Sequence, residues 1–248
     1  MTSEHDAGVL LVDKPAGKTS FDMVRAVRRV FYIKKVGHAG TLDPFATGLL
    51  VICIGRPATR LIEGFMGGEK EYLATMRLGQ VSTTLDPEGE VSYGGSPAGI
   101  DETEIESALT GFRGEIWQKP PQYSALKHKG KPLYHYARKG ITIEKEPRKI
   151  TIHQLDWLDQ RISITDEKPS IDLLVRCSKG TYIRSLAADI GATLGCGAYL
   201  TSLRRTKSGF FSVEHSVPGT DFYDDHKADL IRNNILAVGD VQKLLQSS

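Results

Sequence analysis

The sequence predicts an α+β fold with a central mixed, mostly antiparallel sheet and flanking helices. Strand and helix patterns follow one another in an order that is neither the regular alternation of a parallel α/β sheet nor all strand. Three successive strand patterns between residues 150 and 177 indicate an antiparallel meander. The unbroken apolar run at 48–55 is typical of a central strand.

The first third of the chain contains strands around one amphipathic helix. In chain order it predicts a strand at 8–13, a helix at 20–32, a strand at 48–55, a short helix at 57–65 and a strand at 70–78. Ser20 is a residue type that caps helices, so we place the N-cap of the first helix there. The core-facing side of this helix is expected to carry Phe21, Val24, Val27 and Phe31.

The rest of the chain continues with helices and strands in irregular order. We predict helices at 101–111 and 132–139, strands at 150–158, 161–165 and 171–177, a helix at 181–194, a strand at 198–205, and short helices at about 225–235 and 241–245. Asp101 followed by Glu104 has the spacing of a capping box, which supports the first of these helices. Gly140 is placed to end the second.

The composition is that of an ordinary soluble protein. No apolar stretch approaches the roughly 20 residues that span a bilayer, and the polar, acidic residues 1–7 do not form a secretory signal. The three cysteines are far apart and form no Cys-x-x-Cys pair, so neither a zinc site nor a disulfide framework is expected. We therefore expect a reduced, cytoplasmic setting without membrane contact.

The formal net charge is only +2, but the charges are unevenly distributed. Residues 14–38 carry seven Lys or Arg against one acid, residues 111–150 carry ten against three, and residues 176–209 carry six against one. Residues 86–106 carry seven acids and no base. Basic segments that share one face would bind a polyanion such as RNA. Solvated surface patches are the alternative.

The segment 14–20 (KPAGKTS) follows a strand and precedes a helix, as a phosphate-binding loop does. The nucleotide-binding motif needs a glycine five residues before its Gly-Lys-Thr end, and Val12 stands there instead. Pro15 also removes a backbone donor from the turn. We therefore reject a nucleotide hydrolase. A capped turn and an RNA phosphate contact by Lys14 or Lys18 both stay open.

The loop at 37–48 (GHAGTLDPFATG) concentrates unusual residues. It holds three glycines, His38 and Asp43, and it precedes the best strand of the chain. Aspartate in a loop rich in Gly and Pro is usually a turn former. Catalytic groups, however, also tend to sit on loops held by a rigid scaffold. The density of special residues here makes Asp43 a candidate functional carboxylate.

Three further segments are more specific than a scaffold requires. The segment 119–131 combines prolines, an aromatic residue and four lysines, which suits contact with a nucleic-acid backbone, although an ordinary surface loop is the alternative. At 177–184 a strand ends and a helix begins, so side chains of the first turn can project into a cleft. The segment 200–209 carries Arg204 and Arg205 side by side.

Four strings of the sequence, in this order and spacing, resemble the bacterial tRNA pseudouridine-55 synthase family. They are GHAGTLDPFATG at 37–48, KEYLATMRLGQ at 70–80, KPPQYSALK at 119–127 and CSKGTYIRSL at 177–186. The resemblance runs from residue 8 to about residue 213. It implies a pseudouridine synthase-type central sheet whose face forms an active-site cleft, in agreement with the α+β pattern.

The resemblance also implies roles for individual residues. Asp43 matches the family's catalytic aspartate, and Tyr72 matches the tyrosine that stacks on the flipped-out base. Arg184 matches the arginine that pairs with the aspartate and would lower its pKa. The remaining matches are His38, which inserts into the RNA loop, Tyr182 and Leu203, which line the uracil pocket, and Lys14, which falls in the family's first motif.

The reaction implied by the resemblance turns uridine 55 in the T-loop of tRNA into pseudouridine. It breaks the N1–C1′ bond, turns the uracil and rejoins it through C5, so no group is oxidised and no cofactor or metal is required. One ionised carboxylate is sufficient as nucleophile or base. Asp43 is expected to be the nucleophile, and the atom that it attacks is left open.

The expected partner is the T-arm of tRNA, bound by a monomer without an obligate protein partner. We expect residues 1–213 to form the catalytic domain and residues 214–248 a short helical tail, where many relatives continue into a small RNA-binding domain. Weaker or less selective tRNA binding would follow. A catalytically silent RNA-binding protein on the same scaffold is the alternative, although binding alone does not need an acid among basic loops.

Overall fold

The computed structural model describes residues 7–158 and 169–246. The strand predicted at 161–165 lies outside the described residues. The first half of the chain contains β1 (Gly8–Lys14), α1 (Ser20–Phe31), β2 (Val36–Ala39), β3 (Thr47–Ile54), α2 (Gly55–Thr59), α3 (Ile62–Gly67), β4 (Lys70–Leu78), β5 (Gln80–Ser82), β6 (Val91–Tyr93), α4 (Glu102–Gly111) and β7 (Gly114–Gln118).

The second half is richer in short elements. It contains β8 (Lys127–His128), β9 (Lys131–Pro132), α5 (Leu133–Ala137), β10 (Arg148–Trp157), β11 (Ser170–Cys177), α6 (Ile183–Thr193), β12 (Ala198–Ser208), β13 (Phe211–Ser212), β14 (Val217–Pro218), α7 (Ala228–Asn233), β15 (Leu236–Ala237) and α8 (Val238–Gln246). Short 3₁₀ helices lie at Val213–His215, Gly219–Tyr223 and Asp225–Lys227.

Two compact units make up the chain. The first consists of Met1–Glu71 and Arg204–Ser248, and the second is Tyr72–Leu203. Each change from one unit to the other occurs within a strand, first β4 and then β12. The predicted division at residue 213 into a catalytic domain and a tail stays a prediction.

In the first unit, a mixed sheet forms around β3. Antiparallel β1 pairs with β3 along its length, from Gly8 opposite Ile54 to Lys14 opposite Gly48. Strand β2 also pairs with β3 in antiparallel. Strand β12 pairs with β3 in parallel at Arg204 and Arg205. The predicted tail contributes two short strands to this sheet, since β14 pairs with β1 in parallel and β15 pairs with it in antiparallel.

The core of the first unit explains why β3 is one continuous apolar run. Residues 49–54 are each 0% exposed, as expected for a strand that is covered on both faces. On one face, helices α2, α3 and α8 contribute to a single apolar cluster with the sheet. Its members are Val9, Leu11, Ala39, Leu49, Val51, Cys53, Ala58, Phe65, Phe211 and Val241.

Helix α1 differs from its prediction at two points. Its N-cap is Thr19, whose hydroxyl accepts the N–H of Asp22 while the Asp22 carboxylate accepts the N–H of Thr19. The prediction of Ser20 as the cap is therefore wrong by one residue. Phe21 is 52% exposed and so does not face the core. The buried face carries Met23, Val24, Ala26 and Val27.

In the second unit, the strand order is β4–β11–β10–β7. The antiparallel pairing of β10 with β11 confirms the prediction for the strands at 150–158 and 171–177. Helix α4 contacts both β10 and α6. The predicted capping box of Asp101 and Glu104 starts α4, and the predicted strand at 70–78 is β4 without any shift. Two small hairpins, β5–β6 and β8–β9, complete this unit.

Other bounds shift by a few residues for local reasons. The single helix predicted at 57–65 is divided into α2 and α3 at Arg60 and Leu61. The helix predicted at 181–194 begins two residues later, because Tyr182 has the extended backbone of an N-cap. Among the helices of the described residues, none is both long and apolar enough to cross a membrane.

Candidate active site

The loop that carries Asp43 connects β2 to β3 in the first unit. Buried side chains from other elements hold its backbone at every second residue. Arg205 Nη2, in β12, donates to the carbonyl of Gly40 at 3.0 Å. Ser20 Oγ, at the start of α1, donates to the carbonyl of Leu42 at 3.1 Å and accepts its N–H at 2.9 Å.

Lys14 supplies the third attachment, at Pro44. Its Nζ donates to the carbonyls of Pro15, Lys18 and Pro44 at 2.9, 2.6 and 3.2 Å, and its side chain is fully buried. Lys14 therefore ties the turn before α1 to the turn that follows the candidate carboxylate. A contact between Lys14 and RNA stays a prediction, and it would require the ammonium group to leave these carbonyls.

Arg205 also lies opposite Gly48, where β12 pairs with β3 at the end of this loop. Its side chain is 2% exposed, and Nε donates to the carbonyl of Leu49 at 2.7 Å. Gly48 has φ +99°, and a Cβ atom there would lie 2.3 Å from the carbonyl oxygen of Arg205. Only glycine meets both conditions. The need for glycine at 48 is thus a requirement of strand pairing.

His38 is a half-buried residue of β2, the strand that precedes the Asp43 loop. Burial lowers the pKa of His38 below its ordinary 6.5, and the nearby positive charge of Arg205 lowers it further. Its Nδ1 atom is buried and has no hydrogen-bond partner in the described part of the chain. His38 is therefore neutral at physiological pH. Its insertion into an RNA loop stays a prediction.

In the second unit, Arg184 is buried in the first turn of α6. Its Nη1 forms an ion pair with Asp86 Oδ2 at 3.0 Å, and both side chains are 3% exposed. Nη1 also donates to the carbonyl of Thr84 at 2.8 Å, and Nη2 donates to that of Tyr123 at 2.7 Å. These partners fix the guanidinium plane against two loops of its own unit.

Asp86, the buried ion-pair partner of Arg184, is a residue that the sequence did not single out. It stands in the acidic stretch 86–106, which has the pattern of a solvated segment. Its carboxylate accepts the Thr84 hydroxyl and the N–H of Glu88, which forms a tight turn. Leu85, between these residues, has φ +64°, a conformation that costs a residue with a Cβ roughly 1–2 kcal/mol. Such strain is typical of functional segments.

The three predicted pocket residues of the second unit have different surroundings. Tyr72, in β4, is 9% exposed and shares the buried face of the strand with Ala74 and Met76. Leu203, in β12, is 6% exposed. Tyr182 is partly exposed at the N-cap of α6. Stacking on a base and lining a uracil pocket stay predictions for all three.

Within each unit, the structure brings some predicted residues together. In the first unit, Lys14 binds the turn that directly follows Asp43, and Arg205 lies near His38. In the second unit, Tyr182 and Arg184 both belong to the start of α6. The chemistry available is that of carboxylates, a neutral imidazole, phenols and guanidinium groups. No group of three or more potential metal ligands occurs among the described residues.

Two family models match the chain. That of the TruB family pseudouridylate synthase (N terminal domain) matches residues 28–183, more than half of the sequence. The chain belongs to this family. A second model, the tRNA pseudouridylate synthase B C-terminal domain, matches residues 184–240. The resemblance carried by the four strings is therefore confirmed, and the chain is an enzyme of the pseudouridylate synthase class, which is an isomerase class.

Individual relatives of this TruB family member match nearly its whole length. A protein named tRNA pseudouridine synthase B from Desulfotalea psychrophila is 53% identical over 240 residues, which are 97% of this chain and 97% of the relative. A protein of the same name from Protochlamydia amoebophila is 45% identical over 234 residues, which are 93% of this chain and 86% of the relative.

Solved structures with the same fold are longer than this chain. A structure described as a Cbf5-Nop10-Gar1 complex matches with a TM-score of 0.68 and 28% identity, over 95% of this chain and 61% of the matched chain. An H/ACA RNP bound to a substrate RNA containing 2'-deoxyuridine matches with a TM-score of 0.67 and 26% identity, over 95% and 60%. These matches confirm the predicted pseudouridine synthase-type α+β fold.

Proposed function

We propose that this enzyme converts uridine 55 in the T-loop of tRNA to pseudouridine, with Asp43 as the nucleophile on a flipped-out base. The observation that carries the proposal is the relative named tRNA pseudouridine synthase B, 53% identical over 97% of both chains. The attachments at Gly40, Leu42 and Pro44 support the choice of Asp43. A carboxylate on a loop held at both sides needs little ordering before it reacts.

The chemistry fits a site made of ordinary side chains. The N1–C1′ bond breaks, the uracil turns, the C5–C1′ bond forms, and the proton of C5 is replaced by one on N1. Atoms and electrons balance without a co-reactant. The carboxylate must be ionised to act as nucleophile, and in this proposal the charge of Arg184 favours that form. Asp86 would then keep the guanidinium group of Arg184 oriented.

The other predicted residues are proposed to receive the base. Tyr72 stacks on the extruded uracil and offsets part of the lost RNA stacking, which is worth about 1–3 kcal/mol per base. Tyr182 and Leu203 line the uracil pocket. His38, neutral because its pKa is lowered, occupies the space that the base leaves in the RNA.

The exposed side of α1 and the turn after it supports binding to an RNA backbone. Arg25, Arg29, Lys34 and Lys35 are exposed there. Arg25 also lies over the exposed ring of Phe21, 5.3 Å from its centroid. Such a face recognises phosphates and shape more than sequence. We propose that the T-arm of tRNA is the ligand, and that the enzyme acts as a monomer in the cytoplasm.

Incubation of the purified enzyme with unmodified tRNA transcript tests the proposal. Pseudouridine is then mapped by position, and binding is measured in parallel. We expect one product, at position 55. Asp43→Asn should abolish product while the Kd for tRNA stays within about twofold, because the amide keeps the shape of the carboxylate but is a poor nucleophile.

The matched control is Asp240→Asn, which alters an exposed carboxylate of α8 that pairs with Lys243. This variant should keep full activity. Full activity of Asp43→Asn would rule out Asp43 as nucleophile. tRNA binding by the wild type without product would support the silent RNA-binding alternative, and product at another position would overturn the assignment to uridine 55.

A further inference from the structure

We propose that Gln118 is a positioning residue for this reaction, because its buried carboxamide fixes the backbone from which the Tyr182 ring projects. The inference rests on the proposed function, in which Tyr182 lines the uracil pocket. Gln118 Oε1 accepts the N–H of Tyr182 at 2.8 Å, and Gln118 Nε2 donates to the carbonyl of the same residue at 3.0 Å.

The location of Gln118 is unusual for a polar residue. It is the last residue of β7, and it is 2% exposed although the preceding residue, Trp117, is 71% exposed. A buried carboxamide must have both of its polar atoms satisfied. The two bonds to Tyr182 satisfy one donor and one acceptor, so the amide is held in a single orientation.

Two hydrogen bonds to the same residue fix the orientation of its backbone as well as its distance from Gln118. The N–H and C=O of Tyr182 flank its Cα atom, so fixing both peptide groups fixes the direction of the Cα–Cβ bond. The Tyr182 carbonyl also accepts the N–H of Leu186 at 3.0 Å, so the Gln118 bonds add to the first hydrogen bond of α6. Gly180, with φ +81°, lies two residues earlier, and the Tyr182 N-cap has no side-chain cap bond. Gln118 Oε1 bonds the N–H of this N-cap residue, as the N3 side chain does in a capping box.

Two neighbouring hydrogen bonds also attach the start of α6 to the loop that follows β7. Ser185 Oγ, in the first turn of α6, donates to the carbonyl of Lys119 at 3.1 Å. Arg184 Nη2 donates to the carbonyl of Tyr123 at 2.7 Å. Gln118 differs from both because its partner is the backbone of Tyr182 itself, whereas these side chains anchor the helix to the loop.

The chain supplies a matched control in Gln122. Its Nε2 donates to the carbonyl of Ile143 at 3.1 Å, and its Oε1 accepts the N–H of Ile143 at 3.0 Å. The bond pattern is that of Gln118, but the target lies outside α6. Gln122 lies in the basic segment 119–131, but Gln122→Met changes no charge there, and it removes the same two interactions without releasing Tyr182.

The experiment compares Gln118→Met and Gln122→Met in melting temperature, Kd for tRNA and single-turnover rate at saturating enzyme. We expect both variants to lose similar thermal stability. Gln118→Met should also lower the single-turnover rate by about 10- to 100-fold, as expected for a small misplacement of a positioned group. Its Kd should stay within about twofold. Gln118→Asn, which keeps a neutral carboxamide but is one methylene too short to reach both backbone groups, should fall between wild type and Gln118→Met.

A double-mutant cycle with Tyr182→Ala separates positioning of the ring from general damage. If Gln118 acts through the Tyr182 ring, Gln118→Met should have no further effect on the rate once the ring is absent. An unchanged rate in Gln118→Met, equal rate losses in the two Gln→Met variants, or full multiplication of the two defects would each overturn the inference. If Gln118→Met does not fold, the same cycle is run with Gln118→Asn. A wild type that forms no pseudouridine would overturn the proposed function, and the inference with it.

Discussion

At the scale of single residues, the Asp43 loop shows how buried polar groups can be used to order a backbone. Arg205, Ser20 and Lys14 bind the carbonyls of Gly40, Leu42 and Pro44. A buried guanidinium or ammonium is costly unless its donors are satisfied. Here main-chain carbonyls satisfy them, so keeping the cation hydrogen-bonded also keeps the loop in place.

The neutral state of His38 has a consequence for stability that can be measured. Its folded pKa lies below the 6.5 of an unperturbed histidine, so the unfolded chain binds the proton more tightly. The stabilisation is complete above the unfolded pKa and is lost as the pH falls through the folded pKa. We therefore expect the free energy of unfolding to decrease as the pH is lowered below about 6.5.

Urea unfolding of the wild type and of His38→Gln across this range tests that expectation. The variant should lose part of the pH dependence, because glutamine does not titrate. His153→Gln alters an exposed histidine of β10 and serves as the control. Identical pH profiles for wild type and His38→Gln would show that His38 does not contribute to the acid sensitivity of the fold.

At the scale of elements, adjacent hydroxyl residues at the start of α1 have different tasks. Thr19 caps the helix, whereas Ser20 holds Leu42 in the loop next to Asp43. Thr19→Ala should lower the free energy of unfolding by about 1 kcal/mol, as for other N-cap losses, and leave the reaction rate unchanged.

Ser20→Ala, in contrast, should lower the reaction rate as well as the free energy of unfolding. It leaves the helix cap intact but removes both side-chain bonds to Leu42, at a cost of about 1–3 kcal/mol for the buried groups left unpaired. The released loop should lower the single-turnover rate of pseudouridine formation by about tenfold. Paired denaturant and rate measurements on the two variants check this. Similar rate losses would mean that the helix start as a whole, and not the Ser20 bond, positions the loop.

These elements also show what local sequence can and cannot predict. Alternation and apolar continuity located β4 and β3 well, because these signals depend only on which faces are buried. The choice between Thr19 and Ser20 as cap depended on Leu42, 22 residues away. The exposure of Phe21 likewise depended on what packs against α1. Neither partner can be identified from the helix alone.

Among the residues of the candidate site, some could likewise be predicted from the sequence and others could not. Asp43 and Arg184 could be singled out because they lie in strings that the family shares. Asp86 and Gln118 could not, because one stands in an acidic stretch and the other ends an exposed strand. Each of these two residues is buried beside a particular partner, and this information is available only from the fold.

At the scale of the whole molecule, a net charge of +2 gives little reason to expect binding to a polyanion, so the distribution of charge must explain it. The first unit contains both a basic segment, residues 14–38, and an acidic one, residues 214–229. Phosphate contacts release counterions from RNA, which makes binding depend on salt. If local charge governs RNA binding, neutralising a lysine of the basic segment should weaken binding more than neutralising a lysine elsewhere. If net charge governs it, the two substitutions should have equal effects.

We expect the affinity for tRNA to fall steeply as salt is added, and Lys34→Gln to reduce the slope of log K against log salt by about one unit. Lys243→Gln removes the same charge from an exposed lysine of α8 and should leave the slope unchanged. Binding isotherms at several salt concentrations give these slopes. A flat response of the wild type would exclude phosphate binding by the basic segments. Equal changes in the two variants would show that net charge, and not the α1 region, governs association.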